Sequence, residues 1–207
     1  MVIDAHTHVF PGEVIERRAS HAAVDGLFGA LYGRPASRLA GAEELICNMD
    51  HVGIQRSVIA GIAWSSLEVC RAHNDYLLES VSRFPERLTA FTSVAPGSAA
   101  DTEAEIERCA QTGARGIGEL RLELLPPEAL DGVFKAVRRH HLVVMLHVSE
   151  PVGHAYAGKG TSTPAKTLDL ITANPDVVFI CAHWGGGLPF YCLMPEVKAA
   201  LRNTYFD

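Results

Sequence analysis

Two histidines stand one residue apart near the start of the sequence, in the stretch VIDAHTHVF. His6 and His8 alternate with apolar or small residues, and Asp4 precedes them in the same rhythm. In a β-strand, residues i and i+2 project from the same face, so both imidazoles and the carboxylate would point in one direction. Imidazole nitrogen is a common ligand of zinc and other transition metals. The two histidines are therefore either polar side chains that are buried at an energetic cost or half of a metal site.

More polar residues occur where later apolar runs end. Glu119 and Arg121 end one run, His147 ends a second and His183 ends a third. If these runs are parallel strands of one sheet, their carboxyl ends share an edge, and parallel barrels build their active sites there. Each histidine alone is more often a core or loop residue. As a set at equivalent strand ends, these side chains predict one shared functional site.

The segments that must position these residues alternate between β-branched runs and helical patterns. Such alternation implies parallel pairing, and runs such as VVML and VVFI are typical of strands covered on both faces. We therefore predict an α/β fold with a single domain over residues 1–207. The candidate strands begin at residues 1, 56, 88, 114, 142, 176 and 203, and the helical patterns cover 42–52, 66–83, 101–112, 126–140, 164–173 and 193–202.

Residue parity predicts which side chains of two strands reach the site. Met145 and His147 share one face of the fifth candidate strand, and Cys181 and His183 share one face of the sixth. We expect the lower residue of each pair to fill the core and the histidine above it to face a pocket. Residues 10–41, rich in Gly, Ala and Arg, form either a lid over that pocket or a mobile loop, and composition favours the loop.

Several other side chains are candidates for contact with substrate. The loop EPVGHAYAGKGTSTP carries His154, Tyr156 and Lys159, which can meet an anionic substrate, although a solvated flexible loop is equally expected. Arg121 can bind a carboxylate with two parallel hydrogen bonds, or it can form a surface ion pair. Trp184 can stack on a ring, or it can simply pack.

Composition narrows the class of protein. The 207 residues are 48% hydrophobic and 20% charged, with a net charge of -6 and an isoelectric point near 5.9. No run of Lys and Arg indicates a nucleic-acid surface, no apolar run approaches the ~18 to 20 residues of a membrane span, and the N-terminus lacks the apolar segment of a signal peptide. The five cysteines are widely spaced, as in reduced proteins. We expect a cytoplasmic protein without nucleic-acid or membrane partners.

In order and spacing, the stretches DAHTH, GIGELRL, MLHVSEPVGH and CAHWGGG resemble the amidohydrolase superfamily, especially its amidohydrolase-related branch of metal-dependent hydrolases and decarboxylases. The resemblance runs over essentially the whole chain. It implies a distorted TIM-type (β/α)8 barrel, a small-molecule substrate and one or two divalent metals, zinc first, with manganese or iron as alternatives. Dimers are common among relatives, so the resemblance leaves a homodimer open.

The resemblance also assigns roles to individual residues. His6 and His8 match the metal ligands of the first strand, and His147 matches the ligand of the fifth. His183 matches a histidine that acts on substrate or water in single-metal members and binds the second ion in two-metal members. Glu119 matches a bridging carboxylate of a deoxyribonuclease-like branch. His183 and Glu119 are therefore both catalytic candidates and candidate ligands.

The resemblance is incomplete at the eighth strand, which in the family carries an aspartate that binds the metal and takes a proton from the attacking water. The sequence reaches only the seventh candidate strand, NTYFD, and Asp207 at its end is a poor substitute. We therefore expect a barrel truncated after the seventh strand, with two unpaired edges, weak metal binding and poor turnover. Asp4 would orient an imidazole or bond to strand backbone.

Three functions are expected from this resemblance. The first is hydrolysis of a carboxylic ester, lactone or amide bond by a metal-activated water. The second is non-oxidative decarboxylation of an aromatic or unsaturated acid, which release of carbon dioxide would distinguish. The third is an inactive barrel with a binding role, suggested by the absent eighth strand. A nuclease is a distant fourth, because the sequence lacks a basic surface signal.

Overall fold

The computed structural model describes residues 1–207 and contains one parallel sheet surrounded by helices. The strands follow one another in chain order from β1 to β7, so β1 and β7 are the two edges. This is the predicted TIM-type α/β barrel, incomplete with seven strands. The strands are β1 (Ile3–Thr7), β2 (Arg56–Ala60), β3 (Leu88–Thr92), β4 (Gly116–Leu120), β5 (Val143–Leu146), β6 (Val178–Cys181) and β7 (Thr204–Phe206). The helices are α1 (Gly12–Glu16), α2 (Arg18–Val24), α3 (Gly26–Tyr32), α4 (Ala42–Val52), α5 (Leu67–Arg83), α6 (Ala99–Thr112), α7 (Pro127–His140), α8 (Pro164–Ala173) and α9 (Pro195–Ala200).

Local sequence signals explain where the main helices begin and end. The hydroxyls of Ser66 and Ser98 accept hydrogen bonds from backbone N–H groups in the first turns of α5 and α6. Proline occupies the first position of α7, α8 and α9, where its missing N–H costs nothing. Gly53 and Gly113 end α4 and α6 in the left-handed conformation. All six predicted helices are confirmed as α4 to α9. No helix is both long and apolar enough to cross a membrane.

The core has two layers, which correct one prediction. Met145 packs with Ala60 and Phe91 inside the barrel, below His147, as parity predicts for β5. In β6, however, Cys181 belongs to the cluster between the sheet and the helices, whereas Ile180 packs against the barrel interior. The parity prediction for β6 is therefore wrong. The strand ends at Cys181, and a left-handed turn, not strand alternation, carries the following histidine to the site.

Within residues 10–41, the three short helices α1, α2 and α3 cover most of residues 12–32, so the prediction of a loop is wrong there. Phe28 of α3 is fully buried, with its ring centroid 4.9 Å from that of Trp64 and 5.9 Å from that of Phe10. The buried carboxylate of Asp25 accepts hydrogen bonds from the backbone N–H groups of Phe28 and Ser65, each at 2.8 Å. This aromatic packing and the carboxylate bridge tie the segment to the loop after β2.

Candidate functional site

Five side chains from four strands converge at the carboxyl edge of the sheet, and we call them the donor cluster. Its members are His6, His8, Glu119, His147 and His183. Glu119 lies at the centre, with Oε1 2.8 Å from His147 Nδ1 and 3.1 Å from His183 Nε2. The same oxygen is 3.8 Å from His6 Nε2, and Oε2 is 3.9 Å from His8 Nε2. The structure thus brings together every residue that the sequence predicts as a metal ligand.

His6 of β1 and His8, which directly follows β1, both direct their Nε2 atoms towards this centre. His8 Nδ1 lies 2.9 Å from the carbonyl oxygen of Ala60, which fixes its proton on Nδ1. His6 Nδ1 lies 2.7 Å from Asp207 Oδ2, which favours the same tautomer. The two Nε2 atoms then face each other at 3.0 Å, each with a lone pair available to a cation.

The donor cluster fits a divalent metal ion. Two nitrogen ligands on a tetrahedral zinc ion with bonds of about 2.0–2.1 Å lie about 3.3 Å apart. The 3.0 Å between the two Nε2 atoms is close to that value, and the carboxylate oxygens are 3.8 and 3.9 Å from them. Imidazole with carboxylate suits zinc, manganese or iron. Three ligand sets have donor atoms within 4.8 Å of one another: His6, His8 and Glu119; His6, His183 and Asp207; and Glu119, His147 and His183.

The charge states of Glu119 and His8 favour a cation. Burial acts to raise the pKa of Glu119, but hydrogen bonds with His147 and His183 hold it well below the usual range. Burial lowers the pKa of His8, which keeps its imidazole neutral. Burial also acts to lower the pKa of His6, but the hydrogen bond to Asp207 and nearby carboxylate charge raise it above its ordinary value. An ionised carboxylate and a neutral imidazole are the forms that ligate metals, so among these three groups a metal ion competes with a proton only at His6.

Arg121 lies in the wall of the site, so its interpretation as a surface ion pair is wrong. Only 5% of the residue is exposed. Its guanidinium donates to the carbonyl oxygen of Gly158 at 2.7 Å and contacts His147 Nδ1 at 3.1 Å. The carboxylate of Glu123 is more distant, at 3.4 Å. Arg121 therefore presents a positive charge beside the donor cluster while it anchors the loop after β5.

A cavity of about 460 Å³ opens over the donor cluster. Leu31 and Tyr32 of α3 form part of its wall, although sequence reasoning assigned them no role. The spacing of Phe28 and Tyr32, four residues apart in an apolar stretch, is the signal that could have predicted a helix with an aromatic face. Burial raises the pKa of Tyr32 to about 12, so its hydroxyl keeps its proton. Segment 10–41 thus supplies a lid over the site.

The structure divides the remaining substrate-binding candidates. Tyr156 lines the cavity, and its hydroxyl donates to Glu150 at 2.9 Å. His154, Lys159 and Trp184 lie outside the cavity wall. Lys159 donates to the carbonyl oxygen of Val152 at 2.8 Å, and Trp184 is 56% exposed. Their contact with substrate stays a prediction.

Of two aspartates near the cluster, Asp207 and not Asp4 contacts the imidazole of His6. Asp4 accepts a hydrogen bond from the backbone N–H of His6 at 3.2 Å, which is the backbone alternative. The carboxylate of Asp207 instead contacts the His6 imidazole. Sequence reasoning missed this contact because it joins residues 201 positions apart.

The turn after β6 brings His183 to the cluster. His183 and Trp184 have φ angles of 59° and 53°, in the left-handed region that most residues avoid. Gly186 continues the turn with φ of 59°, and a Cβ there would lie 2.9 Å from the backbone carbon of Ser149. The glycines of HWGGG therefore turn the chain tightly against the neighbouring loop.

Comparisons with known proteins agree with this fold. The family model for amidohydrolases matches residues 3–207, and no curated protein sequence matches the chain. A 5-carboxyvanillate decarboxylase from Sphingomonas paucimobilis is 19% identical with a TM-score of 0.75, covering 99% of this chain and 79% of that one. The enzyme of that name from Novosphingobium aromaticivorans, solved with manganese and 4-hydroxy-3-methoxy-5-nitrobenzoic acid, is 22% identical with a TM-score of 0.71, covering 98% and 71%. A 4-oxalomesaconate hydratase from Rhodopseudomonas palustris is 19% identical with a TM-score of 0.60, covering 100% and 74%. These identities indicate a shared fold.

Proposed function

This chain belongs to the amidohydrolase family, and we propose that it is a metal-dependent, non-oxidative decarboxylase of a small aromatic or unsaturated carboxylic acid. The observation that carries the proposal is the buried guanidinium of Arg121 in the wall of the cavity that opens over the donor cluster. A set of side chains that can bind a metal cation, next to a fixed positive charge, suits an anionic substrate better than a neutral ester. The decarboxylases among the solved neighbours support this choice.

The donor cluster would hold the metal through His6, His8 and Glu119, with His147 and His183 within reach of the same carboxylate. When bound, a divalent ion would supply positive charge that stabilises the electron-rich substrate as it loses its carboxylate. Manganese is present in several solved neighbours, and zinc remains compatible with the same donors.

The walls of the cavity would orient the acid. Arg121 has five N–H donors, and its hydrogen bonds to Gly158 and Glu123 leave others free to bind a carboxylate. Leu31, Tyr32 and Tyr156 offer apolar and aromatic surface for a planar ring. The protonated phenol of Tyr32 can donate a hydrogen bond to an oxygen of the substrate. Together these groups would hold the scissile bond and exclude water.

His183 is the side chain best placed to move a proton. In the proposed reaction the bond between the substrate carbon and its carboxylate breaks, carbon dioxide leaves, and the carbon takes one proton. The His183 side chain is half exposed, and its Nε2 lies 3.1 Å from the ionised Glu119. His183 would deliver the proton to the carbon, and solvent would then restore it.

Hydrolysis of an ester, lactone or amide is the second candidate. The contact between His183 and ionised Glu119 favours it, because this pair can also accept a proton from a water molecule in the cavity. The chemistry differs in its product, since hydrolysis releases no carbon dioxide.

The test is an assay of purified protein with Mn²⁺ or Zn²⁺ against two panels of substrates. One panel contains hydroxybenzoic acids, including 5-carboxyvanillate and 2,6-dihydroxybenzoate, and the other contains esters and lactones. We expect carbon dioxide release that is lost on chelation and reduced in Arg121→Gln. Ester or lactone cleavage without carbon dioxide would replace the proposal with hydrolysis. Stoichiometric metal without turnover of any substrate in either panel would support the inactive binding barrel.

A further inference from the structure

Asp207 follows β7 and reaches across the open edge of the sheet to β1. Its side chain is 16% exposed, and Oδ2 lies 2.7 Å from His6 Nδ1. The other oxygen, Oδ1, accepts a hydrogen bond from the backbone N–H of Trp184 at 3.1 Å. We propose that Asp207 is a positioning residue that fixes the tautomer and orientation of His6 for metal binding. The inference rests on the proposed metal centre and adds to it a residue outside the donor cluster.

The tautomer argument follows from the two nitrogens of His6. A neutral imidazole carries one proton, and a carboxylate at Nδ1 retains it there as a hydrogen-bond donor. Nε2 is then an acceptor, and it faces His8 Nε2 at 3.0 Å and Glu119 Oε1 at 3.8 Å. With the proton on Nε2 instead, His6 would have no lone pair to offer a cation at that position. Asp207 thus favours the tautomer that can bind metal.

The nearby alternatives do not provide this contact. Asp4 is on the same strand, but its carboxylate accepts from the backbone N–H of His6 and not from the ring. His8 has its own acceptor in the carbonyl oxygen of Ala60. A change at Asp207 should therefore act on His6 and leave the tautomer of His8 unchanged.

The second hydrogen bond of Asp207 extends its influence to the turn after β6. Trp184, whose N–H it binds, directly follows His183 and shares its left-handed conformation. One carboxylate therefore connects the edge strand β1 to the turn that carries a histidine of the donor cluster. This bond would survive in Asp207→Asn, because an amide oxygen can still accept from Trp184 while the amide nitrogen faces His6.

The experiment compares wild type, Asp207→Asn and the control Asp169→Asn, which changes an exposed aspartate on α8. Zn²⁺ affinity is measured by competition with a chelating dye, and the histidine tautomers of the metal-free protein are read from ¹H–¹⁵N NMR at mildly alkaline pH, with His6→Ala used to assign the His6 signals. We expect Asp207→Asn to lower the affinity about 10- to 100-fold and to move the His6 proton from Nδ1 to Nε2. The control should match wild type in both.

Two results would overturn the inference. One is unchanged Zn²⁺ affinity in Asp207→Asn. The other is a loss of affinity while His6 keeps its Nδ1 proton, which would mean that Asp207 only stabilises the fold at the sheet edge. Asp207→Glu retains the carboxylate. If its Zn²⁺ affinity is closer to that of wild type than the affinity of Asp207→Asn is, the effect of Asp207→Asn comes from loss of the charge and not from loss of folding. Both readouts need no substrate, so a failure of the proposed decarboxylation leaves this test intact.

Discussion

Two buried glutamates of this barrel have opposite kinds of neighbours. Glu105 of α6 is 2% exposed, and Glu119 of β4 is 7% exposed. Arg108 donates to both oxygens of Glu105, at 2.8 and 2.9 Å. Asn74 and Arg71 add hydrogen bonds at 2.9 and 3.1 Å. Burial acts to raise the pKa of Glu105, but these donors, chiefly Arg108 and Asn74, lower it to about 2.

Glu119 has histidines in place of these arginines. A neutral histidine donates only one hydrogen bond, and the Nδ1 atoms of His6 and His8 lie at Asp207 and Ala60, which leaves lone pairs facing Glu119. Glu105 is therefore neutralised by the protein itself, whereas the charge around Glu119 is completed best by a metal ion. The comparison separates a carboxylate that stabilises the fold from one that belongs to a reactive site.

The largest expected effect is that of Glu119→Gln on turnover. The variant loses the central carboxylate of the donor cluster, so we expect carbon dioxide release to fall about 10²- to 10⁴-fold while the free energy of unfolding stays the same or rises. Steady-state kinetics and urea denaturation measure the two quantities. Glu107→Gln at a half-exposed position of α6 is the control. Turnover within a few-fold of wild type would remove Glu119 from the site.

The counterpart is Glu105→Gln, which should reverse this pattern. The amide weakens the hydrogen bonds from Arg108, whose side chain is 41% exposed, so we expect a loss of about 2 kcal/mol in the free energy of unfolding. Turnover per folded molecule should not change. Glu103→Gln on the same helix breaks surface ion pairs with Lys135 and Arg139 and should cost much less stability. Equal destabilisation in the two variants would contradict the structural role of Glu105.

A buried histidine outside the donor cluster extends the comparison through pH. His73 accepts from Trp64 Nε1 at 2.9 Å and contacts the carbonyl oxygen of Val9 at 2.8 Å, and burial lowers its pKa to about 4. The pKa of His73 in the unfolded chain is near 6.5, so on acidification the unfolded chain takes up this proton before the folded protein does. The contribution of neutral His73 to the free energy of unfolding is therefore complete above pH 6.5 and falls as the pH drops towards 4. Between pH 6.5 and 5 this loss is roughly 2 kcal/mol.

In His73→Gln this contribution should disappear. The amide can still donate to Val9 but does not titrate, so the variant is expected to lose less stability than wild type between pH 6.5 and 5. Urea denaturation at several pH values measures the difference. Parallel pH profiles for the two proteins would show that His73 is protonated equally in the folded and unfolded states.

The smallest effect is expected at the rim of the cavity. Tyr32→Phe removes a protonated phenol that can donate to substrate, so KM should rise about 2- to 10-fold with little change in kcat. Tyr191→Phe changes an exposed tyrosine outside the cavity and serves as the control. An unchanged KM in Tyr32→Phe would limit this side chain to packing in the lid.

The sequence predicted much of the barrel and its donor cluster because both depend on local patterns. Short β-branched runs and helix periodicity located the strands and the helices α4 to α9, and strand ends gathered the polar residues. Parity failed at Cys181 because the left-handed turn after β6 is a tertiary feature. The role of Asp207 at His6 could not be predicted, since no local pattern reports a contact across the open edge of the sheet.

The lid shows a different limit of sequence reasoning. Residues 10–41 have a loop-like composition, yet burial of Phe28 beside Trp64 and the bridge made by Asp25 hold three helices in place. These contacts join distant segments, so composition alone does not reveal them. The burial of Arg121 was hidden for the same reason, because it depends on the loop that closes over it.

Metal binding tests the central claim most directly. Equilibrium dialysis against Mn²⁺ or Zn²⁺, followed by plasma mass spectrometry, measures metal per chain in wild type and in His6→Ala with His8→Ala, even when binding is weak. The control is His51→Ala with His154→Ala, which removes two exposed histidines. The donor cluster predicts stoichiometric metal in wild type and the control, and almost none in the His6 and His8 variant. Equal metal in all three proteins, or none in wild type, would contradict a metal centre built on the histidines of β1.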